Sequence, residues 1–255
     1  MFNFQGKAVL VTGASRGIGK ATAIAFAQAG ARVAVHYSQD QAAAAAVQES
    51  LSGTGHCVVQ ADIADAVAVE RMVGEAIAHL GKIDILVNNA GIYKEHPLDK
   101  TDYQSWQQIW QQTLNVNLLG AVNVSYCVSQ SMMERREGRI INVTSRGAFR
   151  GEPNGPAYGA SKAGLNAFSQ SLAQHLAPYN ITVTAVAPGW VATDMARPIL
   201  ESPAGNAIRQ QSPLHRVARP EEIAHTILFL AAAESEFLTG AIVDVYSTRI
   251  RIGLL

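Results

Sequence analysis

Tyr158 and Lys162 stand four residues apart in a stretch whose pattern predicts a helix over 157–177, so their side chains share one face. A free phenol titrates near ~10, and a neighbouring ammonium favours the phenolate. The pair can therefore give or take a proton near working pH. A second constellation runs Thr12-Gly13-Ala14-Ser15-Arg16-Gly17-Ile18-Gly19, directly after the apolar run Ala8–Val11. Glycines there permit a tight turn and a close approach of backbone to ligand. Free N–H groups at the start of the following helix favour an anion such as a pyrophosphate. The spacing is GxxxGxG rather than GxGxxG, and taken by itself it also suits a plain strand–helix turn.

These residues need elements to hold them. Apolar runs predict strands near 7–12, 31–37, 56–61, 83–88, 138–145, 180–187 and 240–246. Amphipathic stretches predict helices near 17–29, 39–52, 65–80, 104–134, 157–177 and 220–232. The alternation implies an α/β fold, a Rossmann-type doubly wound parallel sheet of about seven strands with helices on both faces. Neither linker nor repeat divides the chain, so 1–255 reads as one domain, with a substrate lid near 193–219.

Composition narrows the class. With 48% hydrophobic and 16% charged residues the chain can bury a large core, which excludes intrinsic disorder. Equal counts of basic and acidic residues, 20 of each, leave no footprint for nucleic acid or an anionic membrane. No apolar run is long enough for a signal peptide or a span, so a cytoplasmic protein is expected. Cys57 and Cys127 make no CxxC pair and read as reduced core thiols. The seven histidines show no HExxH and no ligand spacing, so no metal is expected and all seven read as scattered surface or core residues.

Four segments in register resemble the short-chain dehydrogenase/reductase family over about residues 5–245: the Thr12–Gly19 loop, Asn88-Asn89-Ala90-Gly91, Tyr158-Gly159-Ala160-Ser161-Lys162, and Pro188-Gly189-Trp190-Val191-Ala192-Thr193. The resemblance implies a single-domain oxidoreductase interconverting a carbonyl and a secondary alcohol by hydride transfer. Its cofactor would touch Gly13, Ser15, Arg16, Gly17, Ile18 and Gly19, then Asp62 and Ile63 at the adenine. Asn89, Ala90 and Gly91 would line the adenosine ribose side, and Pro188, Gly189, Val191 and Thr193 would hold the carboxamide. Asn88 reads instead as a buried amide tying strands together. By the same resemblance Tyr158 is the acid–base, Lys162 also holds the nicotinamide ribose, and Ser145 orients the substrate carbonyl. Asn117, rather than Asn115 or Asn123, binds a water behind Lys162. Ser15-Arg16, Asn89–Ile92 and Arg135–Arg139 resemble 3-oxoacyl-acyl-carrier-protein reductase-like members in particular. Arg136 matches a basic position used there for the carrier protein, but the second such position is Tyr179. A sugar, polyol or other small carbonyl compound is therefore an alternative substrate.

Cofactor choice turns on the end of the second strand, where an acid would accept from a ribose 2′-OH. That stretch is Val35-His36-Tyr37-Ser38, with no acid before Asp40. Tyr37 and Ser38 would then flank the ribose, and Arg16 could pair with a 2′-phosphate, so NADP is expected over NAD. Arg16 as a solvated loop residue is the alternative. The stretches 104–133 and 163–177 lack charge, with Trp106, Trp110, Phe168 and Leu172 among their amides. Such faces suit a protein partner, and the resemblance implies a homo-oligomer, dimer or tetramer. Coverage by the chain's own loops is the other reading. A non-catalytic NADP-sensing module is the rival from another class; a sugar-nucleotide epimerase would need a longer C-terminal region. The tail from Ser247 lacks the glycine turn of relatives, so disorder or altered docking is expected beyond about 248.

Overall fold

In the computed structural model, which describes residues 2–246, seven parallel strands form one sheet in the order β3-β2-β1-β4-β5-β6-β7. The expectations for the tail beyond 246 lie outside the described residues. The strands are β1 (Ala8–Val11), β2 (Arg32–Tyr37), β3 (Cys57–Gln60), β4 (Ile85–Asn88), β5 (Gly138–Val143), β6 (Ile181–Pro188) and β7 (Ile242–Val245). Between them run α1 (Gly17–Gln28), α2 (Gln41–Ser50), α3 (Ala66–Leu80), α4 (Tyr103–Leu114) and α5 (Gly120–Arg135). Then come α6 (Gly147–Arg150), α7 (Pro156–Leu176), α8 (Arg197–Leu200), α9 (Ala204–Gln210) and α10 (Pro220–Ala231).

Strand alternation sends side chains to two cores. Val9, Val11, Val33, Val35, Ile141 and Val143 meet α1, α2 and α10 on one face. Ala8, Leu10, Ala34, Leu86, Ile140 and Val183 meet α3, α5 and α7 on the other. Both faces being dry explains why the strands read as continuous apolar runs. β1 pairs with β2 on one side and with β4 on the other. That reversal of strand order is the switch point, where the loops after β1 and β4 open a crevice.

Three expectations change. The helix read over 104–134 is broken at Asn115–Leu119 by a π turn between α4 and α5, which widens the helix and turns Asn117 inward to 1% exposure. Trp106 and Trp110 are both half-buried within the chain itself. They pack around the ring of His96, at centroid distances of 5.2 and 6.4 Å, because the chain's own loop after β4 covers them. Leu172 likewise packs against the sheet core. The segment 193–219, expected as a substrate lid, contains α8 and α9, with Pro198 in the first turn of α8.

Candidate active site

The glycine loop is stapled from three sides. Asn89 Nδ2 donates to the carbonyls of Thr12 and Gly13, both at 3.0 Å. Thr12 Oγ1 accepts from Asn89 and Ala90 N–H at 3.0 and 3.1 Å. Gly13 N–H donates to His36 Nδ1 at 3.0 Å, and the other ring nitrogen of His36 lies 3.1 Å from Ala61 O. An imidazole that accepts at Nδ1 must be neutral and carry its proton on Nε2. Burial lowers the His36 pKa to about 4, outweighing the Ala61 carbonyl and Asp62. A Cβ at Gly19 would overlap Gly13 O and stand 2.6 Å from Asn89 Nδ2, so only glycine lets α1 start this close to the loop.

Arg16 is the N-cap of α1 and supplies no side-chain acceptor to the first amides of the helix. Those amides and the glycine backbone fit the pyrophosphate of a dinucleotide. Across the cleft, a Cβ at Gly17 would stand 3.3 Å from Thr193 Cγ2, so the loops after β1 and β6 approach each other. Tyr37 ends β2 and Ser38 follows it, exposed Asp62 follows β3, and Asn89, Ala90 and Gly91 follow β4. Ile63 and Val191 are buried, Ile63 against Gly120. Asn88 donates to Ser125 Oγ and Asn142 Oδ1, both at 2.9 Å, and so ties elements together as expected.

The catalytic candidates converge at the C-terminal end of β5. Ser145, 8% exposed, accepts from Gly147 N–H at 3.0 Å, and its hydroxyl lies near enough to the Tyr158 phenol to lower the phenol's pKa. Lys162, 4% exposed, donates from Nζ to Val143 O at 2.8 Å and lies 5.8 Å from the Tyr158 ring centroid. Burial lowers its pKa to about 8. Asn117 Oδ1 accepts from Ile92 N–H at 2.8 Å, and its Nδ2 donates to Ile92 O at 2.9 Å and Ser161 Oγ at 3.2 Å. A Cβ on Gly91 would stand 3.3 Å from Asn117 Oδ1 and 3.5 Å from Lys162 Nζ, so both side chains border that glycine.

The electrostatics differ from the expected pairing. Lys162 is turned to Val143 O, and the Tyr158 phenol lies above its ordinary pKa. Burial raises it, the Ser145 hydroxyl lowers it, and the Glu152 carboxylate raises it. The phenol is thus held in its proton-bearing form.

Residues that no motif marked complete the surroundings. Tyr93 meets Tyr158 edge to face, 5.3 Å between centroids, and burial pushes its own phenol up to about 12. Glu152 packs against Gly147, and burial raises its carboxyl above the usual range. His96 Nε2 accepts from Ala157 N–H at 3.2 Å, its Nδ1 meets Lys94 O at 2.9 Å, and its backbone N–H donates to Asn154 O at 2.7 Å. It therefore tethers the start of α7, one residue before Tyr158. Arg136 is turned onto its own chain, donating to Pro178 O at 2.6 Å with its guanidinium 6.0 Å from the Tyr179 ring centroid. Among the described residues no helix is long and apolar enough to cross a membrane.

A family model described as enoyl-(acyl carrier protein) reductase matches residues 13–246. A 3-oxoacyl-[acyl-carrier-protein] reductase of Synechocystis is 41% identical over 92% of this chain and 94% of its own. An acetoacetyl-CoA reductase of Shinella zoogloeoides is 38% identical over 93% and 96%. The solved structure of gox2181 superposes with a TM-score of 0.88 at 30% identity, covering 95% of each chain. Fold, crevice and matched sequence agree, and this chain belongs to the short-chain dehydrogenase/reductase family, oxidoreductases that act through a nicotinamide cofactor on a carbonyl or its alcohol.

Proposed function

We propose that this chain is an NADPH-dependent reductase that turns the ketone of a small 3-oxoacyl compound into a secondary alcohol. The observation that carries the reading is the meeting of Ser145, Tyr158 and buried Lys162 at the end of β5. A bound nicotinamide supplies the hydride. Ser145 and Tyr158 present hydroxyl groups to the carbonyl oxygen, and donors fixed before reaction stabilise the charge that develops there. Carbonyl, hydride and the proton from Tyr158 together make the alcohol. The Lys162 ammonium offsets the phenolate left behind.

Three features support the phosphorylated cofactor. Arg16 is exposed at the start of α1, and β2 ends in Tyr37, followed by Ser38, without an acid. The next carboxylate, Asp40, is committed to capping α2, accepting from Ala43 N–H at 2.9 Å. The two relatives named above support the 3-oxoacyl class. A sugar or polyol carbonyl is the second reading. It is favoured by Tyr93 and Glu152, which put a phenol and a carboxylate near Tyr158, where substrate hydroxyls would find partners. The proposal includes a homo-oligomer joined through α5, where exposed Tyr126 stands seven residues after exposed Leu119, the last residue of the π turn that precedes the helix.

NADPH oxidation over a panel of carbonyl compounds tests the reading. Tyr158→Phe should lower kcat at least ~100-fold with cofactor affinity nearly intact; wild-type turnover in that variant would remove Tyr158 from the mechanism. NADPH should bind more tightly than NADH, and Tyr37→Asp should reverse the order by repelling the 2′-phosphate. Superimposable titrations of the wild type with both cofactors would sink the NADP assignment.

A further inference from the structure

Under α9 and the segment leading to α10 lies a cavity of about 230 Å³, lined by Arg146, Trp190, Ile208, Gln211, Leu214 and Tyr246 among others. That is below the roughly 300–1,000 Å³ of pockets that take drug-sized ligands. Two of its lining residues directly follow residues assigned to the reaction centre. Arg146 follows Ser145, and its N–H donates to Pro188 O at 2.9 Å. Trp190 follows Gly189 in the segment assigned to the carboxamide.

The charge in this cavity is unbalanced. The Arg146 guanidinium lies 5.5 Å from the Trp190 ring centroid, and its Nη1 donates to Gln211 Oε1, a neutral amide, at 3.1 Å. Among the described residues no carboxylate comes within ion-pairing distance of it. Arg150 and Glu152 act on it at longer range and with opposite sign. The cavity's other arginine, Arg216, is already matched by Glu222 through hydrogen bonds of 2.6 and 2.7 Å. Trp190, which lines the cavity, also carries a fully buried indole N–H without an acceptor. A half-buried guanidinium stays ionised, and its planar fork suits a carboxylate. Leaving a charge and a donor unmatched costs stability unless a ligand satisfies them.

We propose that this cavity receives a carboxylate on the carbonyl substrate, with Arg146 as its anchor, so that the substrate is a short oxo acid in its free anionic form. The inference rests on the reductase reading and narrows it: relatives are named for thioesters, whereas this cavity selects the acid. The carboxylate is held and not altered, while reduction proceeds at the ketone beside Ser145 and Tyr158.

Initial rates of NADPH oxidation with acetoacetate, methyl acetoacetate and acetoacetyl-CoA test it in the wild type, Arg146→Met and Arg146→Lys. The wild type should favour acetoacetate over its methyl ester by at least ~10-fold in kcat/KM. Arg146→Met should raise KM for acetoacetate about 10–100-fold with a much smaller change in kcat, as loss of a charge-assisted hydrogen bond does. The acid-to-ester ratio should then collapse toward one, and Arg146→Lys should restore part of it. A wild type that prefers the ester or the thioester, or an Arg146→Met that weakens acid and ester equally, overturns the proposal. Calorimetric titration of acetoacetate into the NADP-loaded protein separates the two layers. Heat in the wild type that vanishes in Arg146→Met supports the anion site even where no substrate turns over, and an absence of heat in the wild type overturns it. Failure of the reductase reading shows instead as no NADPH oxidation with any carbonyl compound.

Discussion

His36 shows how one side chain can make a cofactor loop depend on acidity. It must be neutral to accept from Gly13 N–H, and burial has moved its folded pKa from 6.5 to about 4. The unfolded chain therefore binds more protons than the native one between those values, and stability falls as pH drops from 6.5 through 4. A shift of this size corresponds to about 3 kcal/mol. Urea unfolding at neutral pH and near pH 4 should show the wild type losing roughly that much more than His36→Asn; equal losses would mean the imidazole is not held neutral. Lys162 follows the same logic at alkaline pH. Its folded value near 8 lies below 10.5, so its contribution to stability rises with pH across that window. Tyr158 and Lys162 were legible as candidates because their motif is contiguous and carries its chemistry in residue type, and Ser145 was legible by its place just after a predicted strand, thirteen residues before Tyr158. His36, Glu152 and Arg146 were not, because their partners are chosen across the fold: Gly13 and His36 are 23 residues apart, and no periodicity records such a meeting.

At the scale of elements, catalysis rests on how α7 begins. Its first turn has no side-chain cap from Gly155; the Ala157 N–H is satisfied instead by His96, 61 residues away. His96→Phe would keep a ring against Trp106 and Trp110 but strand that buried donor, at a cost of about 1–3 kcal/mol. A lower urea midpoint together with reduced kcat is expected, and an unchanged midpoint would show that α7 needs no tether. The alternation of strands and helices was readable, since each strand is a short apolar run and each helix an amphipathic one. The π turn at Asn115–Leu119 was not, because its composition is that of the helices flanking it. The lid helices were hidden among prolines, although Pro198 in the first turn of α8 is itself a start signal.

For the molecule as a whole, the sheet topology followed from the βαβ rhythm, while assembly does not follow from any single chain. Light scattering should report more than one chain per particle for the wild type, and Tyr126→Glu should lower that mass by placing charge on the exposed face of α5. A monomeric wild type would remove the proposed interface. The order of strands also sets a timetable. β1 is finished within the first dozen residues, yet its neighbour β4 lies more than 70 residues later, and the face of α1 is closed by Ile223, Ile227 and Leu230 of α10. During synthesis at about 5–20 residues per second, Val9, Val11 and Phe26 therefore wait roughly 10–40 s for the helix that covers them. Hairpins cannot shelter them meanwhile, since every strand pair among the described residues is parallel and needs a crossover. A nascent chain of this protein carries an exposed apolar face for most of its time on the ribosome, and release without α10 would leave that face open to aggregation.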